Sequence, residues 1–259
     1  MNEAGVRRQN SEFRIQEPGA RSQEPGAERE YRSPETFFMK KLAENLWVLP
    51  YPLLLLGANF GRMVTIVRLL SGKLVIHSTG PFTPADVASI LRLGQTGWLL
   101  EAMLQHDTFA QQGRRSFPEI PFLAPEGFSE VVGFPTQSLI PAPEEWGDEL
   151  KVLRIEGNPS MQEHVFLHSP SRTLIVADLL FNFGPHISSW TRFLVICGVG
   201  LKHHPGMSRR FRMAIKDKAA FQRSVKTLAT WEFDRIIVGH GEVLETDGKR
   251  LLEEAVEKQ

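Results

Sequence analysis

The sequence predicts an α+β fold of two sheets with helices on the outside. Three observations carry that prediction. Short β-branched runs bounded by Gly, Pro or Ser turns occur in both halves of the chain. Each half runs through a set of strands, then a helix, then one more strand, which points to two sheets rather than one. The helical segments that follow are amphipathic and carry one apolar stripe each, as helices lying on a sheet do.

The elements can be justified in order. "NLWVL" (45–49) is a short apolar run that Pro50 and Pro52 are expected to stop. "MVTIVRLL" (63–70) is β-branched, and Ser71, Gly72 and Lys73 turn the chain into "LVIHS" (74–78), the pattern of a hairpin. "TPADVASILRLG" (83–94) reads as a helix, with Thr83 as N-cap, Pro84 at the first position and Gly94 at the end. "GWLLEAML" (97–104) reads as a strand leading to His106 and Asp107, and "IPFLAPEGF" (120–128) as a strand entering a loop.

In the second half, "LKVLRIEG", "EHVFLHS" and "TLIVADLLF" read as three strands, the last two joined by a turn at Pro170, Ser171 and Arg172. "DKAAFQRSVKTLATW" (217–231) is an amphipathic helix with Phe221, Val225 and Leu228 on one stripe. It precedes the strand "FDRIIVGHG" and a last helix, "GKRLLEEAVEK".

Residues 1–38 have a different texture. "QEPGA" begins at Gln16 and again at Gln23, and the segment is rich in Glu, Arg, Pro and Gly without apolar periodicity. Such a composition buries too little surface to order itself, so a disordered leader is expected, with the domain spanning 39–259 and Met39 as a candidate start. Across 259 residues, 42% apolar and 23% charged content is that of an ordinary globular chain. Lys plus Arg and Asp plus Glu both total 30, so no global charge favours nucleic acid or an anionic membrane. No apolar run approaches the ~20 residues of a membrane span. The lone Cys197 cannot form an internal disulfide and lies in an apolar run, where an inert core thiol is expected. A cytoplasmic protein is the expectation.

Asp178 raises the functional question. It interrupts the apolar run "TLIVADLLF", and a buried carboxylate must be paired, protonated or bound to metal. An ion pair with Arg172 or a helix cap would satisfy it, and so would a metal. Of the eight histidines (His77, His106, His164, His168, His186, His203, His204 and His240), two follow apolar strands in the same way. His106 lies next to Asp107, and His240 sits between Gly239 and Gly241, which leave room for close approach. Ligand-type residues at several strand ends are how a layered fold assembles a site.

"VFLHSPSRTLIVADLLF" followed by "FDRIIVGHG" resembles the second half of the metallo-β-lactamase superfold, where a hairpin ends in a metal-bridging Asp and a later strand ends in a ligand His before Gly. The first half agrees. "MVTIVRL", "GKLVIHS", "SRTLIVADLLFN" and the "HG" at 240–241 resemble an uncharacterised branch, domain of unknown function 4336. The resemblance covers about residues 42–252 and implies a four-layer αββα sandwich. It also implies a metal held by His106, Asp178 and His240.

The sequence departs from the superfold's two-metal pattern. Setting the last His of the His-x-His-x-Asp-His loop on His106 puts Glu101, Met103 and Gln105 at the other positions, and Asn158 stands near the Gly-His-Thr ligand. The ligands of only one metal survive in type. The reading is therefore a mononuclear metal-dependent hydrolase using one Zn or Fe ion, or none, with Asp107 or Glu163 as general base or water-orienting group. Asp107, Glu163 and His164 are also candidate replacement ligands. The alternative is a non-catalytic binding or scaffold module that keeps the fold without metal. Eight Lys or Arg between positions 202 and 226 against Asp217 alone read as a solvated helix and loop face, or as the side from which a small-molecule substrate of anionic character approaches. No nucleic-acid motif, nucleophile elbow or Gly-rich phosphate loop accompanies them. No membrane partner is expected, and the oligomeric state stays open.

Overall fold

The computed structural model describes residues 38–201 and 205–257. Residues 1–37, nearly all of the expected leader, lie outside the described residues, as do Lys202, His203 and His204.

The first sheet is built from β1 (Lys40–Ala43), β2 (Leu46–Tyr51), β5 (Arg62–Arg68), β6 (Lys73–His77), β7 (Gln95–Leu100), β8 (Phe122–Ala124) and β9 (Gln137–Ser138), in that order. Its first four strands pair antiparallel and its last three continue parallel. A small hairpin, β3 (Leu54–Leu55) with β4 (Ala58–Asn59), stands apart. Contrary to expectation, β2 does not stop at Pro50. Pro50 faces Met63 across the ladder, and Met63 N–H donates to Gly239 O instead of to β2. The missing N–H of Pro50 therefore points to the opposite edge, where β1 has already ended its pairing at Val48.

Period-two alternation then sorts the faces. On β5, Val64 and Ile66 pack with Leu74, Ile76 and Leu99 against Ile90 of α1 (Pro84–Leu91), Ala110 of α2 (Ala110–Ser116) and Phe128 of α3 (Phe128–Val132). The helix α1 starts where expected, with a capping box between Thr83 and Asp86. The other face, with Val67, Val75, Trp98 and Leu100, joins the core between the sheets.

The second sheet orders β10 (Leu150–Arg154), β11 (His164–His168), β12 (Thr173–Ile175) and β13 (Arg235–Ile237). Phe166 of β11 is 1% exposed and meets His77 of the first sheet edge to face, with centroids 5.1 Å apart. Burying one such ring contributes roughly 2–3 kcal/mol. The chain continues through α4 (Ser189–Leu194), a π-helical turn at Val195–Val199, α5 (Arg209–Ala214), α6 (Lys218–Ala229) and α7 (Gly248–Glu257). Phe221 and Leu228 of α6 and Leu252 of α7 join the core on the far side of this sheet. The order is helix, sheet, sheet, helix. Among the described residues, no helix is long and apolar enough to cross a membrane.

Three expectations are corrected. The strand through "GWLLEAML" ends at Leu100, and the strand through "TLIVADLLF" ends at Ile175. In both cases the chain leaves the sheet just before a carboxylate-bearing turn. Cys197 is exposed on the π-helical turn rather than packed in the core. Helices α2 to α5 have five to seven residues, too few for apolar spacing to reveal a 3.6 period.

Candidate metal centre

Three ligand-type side chains meet where strands of both sheets run out. His106 follows the turn after β7, Asp178 the turn after β12, and His240 the run after β13. One ligand atom from each lies within 4.8 Å of the others. His106 Nε2 is 3.2 Å and His240 Nε2 is 3.3 Å from the same oxygen, Asp178 Oδ1. The two imidazoles are nearly buried, and 17% of the Asp178 side chain remains exposed.

The backbone explains how Asp178 reaches this place. After Ile175 one more N–H of this strand joins the ladder, from Val176 to Ile237 O, and Ala177 O accepts from Gly239 N–H. The next two N–H groups, of Ala177 and Asp178, donate to Glu163 Oε1 and Oε2 at 2.9 and 3.0 Å. Glu163, fully buried, thus takes over from the sheet and holds the turn that carries Asp178. On the other strand, Gly239 and Gly241 flank His240. Gly241 has φ +104, and a Cβ there would lie 2.1 Å from Asn182 O, so only glycine fits. Phe181 stacks on the His240 ring at 5.5 Å and fixes its plane.

The orientation of His240 tests whether these residues suit a cation. Nδ1 lies 2.6 Å from Gly61 O. A carbonyl only accepts, so Nδ1 carries a ring proton, and Nε2 without a proton of its own would present a lone pair. That lone pair faces an ionised carboxylate oxygen, which also only accepts. Two acceptors at 3.3 Å repel unless a cation, a proton or a metal ion, lies between them. Burial acts to raise the Asp178 pKa, but His106 and His240 outweigh it and hold the carboxyl well below its usual range. Two imidazoles and a carboxylate, with one imidazole oriented by a carbonyl behind it, fit Zn²⁺ or Fe²⁺.

The remaining loop positions follow a different plan. Glu101 does not face the cluster as a free carboxylate. It is 0% exposed and accepts from Arg62 Nη2 at 2.9 Å through both oxygens, from Ser78 Oγ, and from the Thr79 backbone and hydroxyl. Arg62 also donates to Thr79 O and His106 O. Met103 is a core residue, and Gln105 donates to Ser160 O. Asn158 is buried, with its Nδ2 unpartnered among the described residues. Burial and the Arg62 guanidinium push the His106 pKa down to about 3.

Of the other sequence candidates, Asp107 is exposed at the mouth of the cleft. Glu163 lies behind Asp178, and burial and the Asp178 charge push its pKa up to about 8. His164 donates through Nδ1 to Gln162 O and stays out of the cluster. Arg172 pairs with Glu232 at 3.6 Å, so it is not the partner of Asp178. Sequence reasoning missed Arg62. Its signal was a lone cation opening the apolar run "RMVTIV".

A cleft of about 700 Å³ opens over the cluster. Leu53 to Leu56 of the β3–β4 segment, Phe60, Leu194 and Val199 form its apolar walls, and Arg62, Asp107 and Arg210 are its charged groups besides Asp178.

No protein-family model matches the chain, and no curated protein matches it. Solved structures do. The metallo-β-lactamase from Erythrobacter litoralis is 13% identical, with a TM-score of 0.61 over 85% of this chain and 96% of that one. The metallo-β-lactamase FIM-1 from Pseudomonas aeruginosa, in its mono-zinc form, is 13% identical, with a TM-score of 0.59 over 86% and 95%. The metallo-β-lactamase from Pontibacter korlensis is 11% identical, with a TM-score of 0.58 over 86% and 100%. At these identities the likeness speaks for the fold alone: the chain has the αββα sandwich of the metallo-β-lactamases.

Proposed function

We propose that the cleft is a mononuclear metal-dependent hydrolase site, with one Zn or Fe ion held by His106, Asp178 and His240. The observation that carries this reading is the His240 ring, whose Nε2 lone pair is turned by Gly61 onto Asp178 and calls for a cation. When bound, such an ion supplies Lewis-acid chemistry, polarising an electrophile and making water acidic enough to attack near neutral pH. The chain's own groups do the rest. In this reading Asp107, an exposed carboxylate on the cleft lining, accepts a proton from the attacking water. Glu163 keeps the Asp178 turn rigid through two backbone bonds and acts as a positioning residue. Arg210 faces the cleft from α5 and suits a substrate with an anionic group.

Membership of the domain of unknown function 4336 branch rests on the quoted sequence segments and remains part of this proposal. One observation favours the second reading, a non-catalytic binding module. Glu101 and Arg62 neutralise each other inside the loop that carries two-metal ligands elsewhere in the superfold, so half of that machinery is closed off. Elemental analysis separates the two. Purified protein is expected to hold Zn or Fe at or below one equivalent, lost in Asp178→Ala and His240→Ala. No transition metal after reconstitution would end the hydrolase reading and leave the binding module.

A further inference from the structure

Two segments far apart in sequence form one exposed apolar rim beside the cleft. The β3–β4 hairpin presents Leu54, Leu55 and Leu56 at 70, 58 and 77% exposure. The α4 helix and its π-helical extension present Trp190, Phe193 and Ile196 at 50, 52 and 44%. The two groups are contiguous. Trp190 Nε1 donates to Leu56 O at 2.9 Å, and the indole stacks on Phe193 with centroids 5.6 Å apart. The one polar group of these six side chains is thus satisfied within the protein. A cluster of this size on a soluble surface marks an interaction site.

Charge identifies the partner. Residues 179–216 contain no Asp or Glu but six Lys or Arg, in a chain whose totals balance at 30 each. Residues 45–61, which include the hairpin, carry no charge at all. Arg192 on α4 and Arg209 on α5 are exposed. Arg209 packs against Gly200 at the end of the π-helical turn, where an added Cβ would lie 2.5 Å from its own Cβ. The rim is therefore apolar at its centre, with Arg192 and Arg209 exposed on its flank and the Glu242 carboxylate lying against Gly184 of the same segment.

We propose that this rim docks the protein peripherally on an anionic lipid surface. The leucines, Trp190 and Phe193 enter the boundary between headgroups and acyl chains, while Arg192 and Arg209 meet the headgroup phosphates. Apolar side chains alone would suit many partners. A segment with six Lys or Arg against the neighbouring acid Glu242 favours an anionic partner, and a Trp, Phe and Leu cluster beside it is the pattern of an interfacial anchor. Span length and the balanced net charge, on which the expectation of no membrane partner rests, do not bear on surface binding by a local patch. This inference is independent of the metal reading.

The test is co-sedimentation of the full chain with vesicles of phosphatidylcholine alone and of phosphatidylcholine with about 30% phosphatidylglycerol. The protein is expected to bind the mixed vesicles at least about tenfold more strongly, and to lose most of that binding at about 0.5 M salt. Exchanging Leu55→Gln together with Phe193→Gln is expected to lower partition about tenfold or more, with circular dichroism and Tm unchanged. Arg192→Glu with Arg209→Glu is expected to abolish the preference for the mixed vesicles. No binding to mixed vesicles at low salt, or equal binding by the Leu55/Phe193 variant, overturns the proposal. So does a dimer in sedimentation velocity that the same variant dissociates, because the rim then covers a second copy of the chain.

Discussion

Arg62 Nη2 lies 2.9 Å from both carboxylate oxygens of Glu101, and neither side chain is more than 2% exposed. Removing one partner leaves the other charge buried and alone. Glu101→Ala is therefore expected to destabilise the protein by about 3–5 kcal/mol in urea unfolding. Arg62→Met combined with Glu101→Leu, which removes both charges, is expected to cost less than either single change. A double variant as unstable as the sum of the singles would contradict the pairing.

Glu163 accepts from two consecutive backbone N–H groups, so Glu163→Gln must set an amide donor against one of them. The Asp178 turn should loosen, and Zn²⁺ affinity measured by chelator competition is expected to fall about 10–100-fold. Unchanged affinity would remove Glu163 from any positioning role.

Gly239 sits where a Cβ would come within 2.9 Å of Ala177 O and 3.1 Å of His106 Cε1. Gly239→Ala is expected to cost about 1–3 kcal/mol and to shift the His106 ring resonances in NMR spectra. Gly198→Ala is the control, since nothing lies within 4 Å of its added methyl.

His77 is buried between the sheets with both ring nitrogens unpartnered among the described residues, and burial, helped by Arg62, lowers its pKa to about 3. A folded-state pKa below the unfolded value means that the unfolded chain binds the extra proton first. The resulting stability is complete above about pH 6.5 and is lost as pH falls toward 3. Replacing the ring by a group that cannot titrate should flatten that loss. Urea midpoints of His77→Leu are expected to fall less between pH 7 and pH 5 than those of the parent chain. Parallel curves would show that His77 is not the acid-sensitive group.

Much of the architecture was legible because it depends on local chemistry. Thr83 and Pro84 announced α1, the β-branched runs announced the hairpin of β5 and β6, and the stripe of Phe221, Val225 and Leu228 announced α6. The short helices α2 to α5 were not legible, since fewer than two turns leave no period to read. Pro50 misled because its cost depends on which edge of the strand its nitrogen faces, and that is a property of the neighbouring strands.

By itself the sequence determined the residue types of the site. His106, Asp178 and His240 each close an apolar run, and such positions gather where strands end. Only the tertiary structure decided how they face one another. The Gly61 carbonyl, 179 positions before His240 in the chain, sets which nitrogen of His240 faces Asp178. Arg62, unremarkable in the sequence, neutralises Glu101 and so keeps that carboxylate from acting as a free acid beside His106. The physical reason is that ring orientation and the pairing of buried charges depend on contacts across the two sheets, which no local pattern encodes.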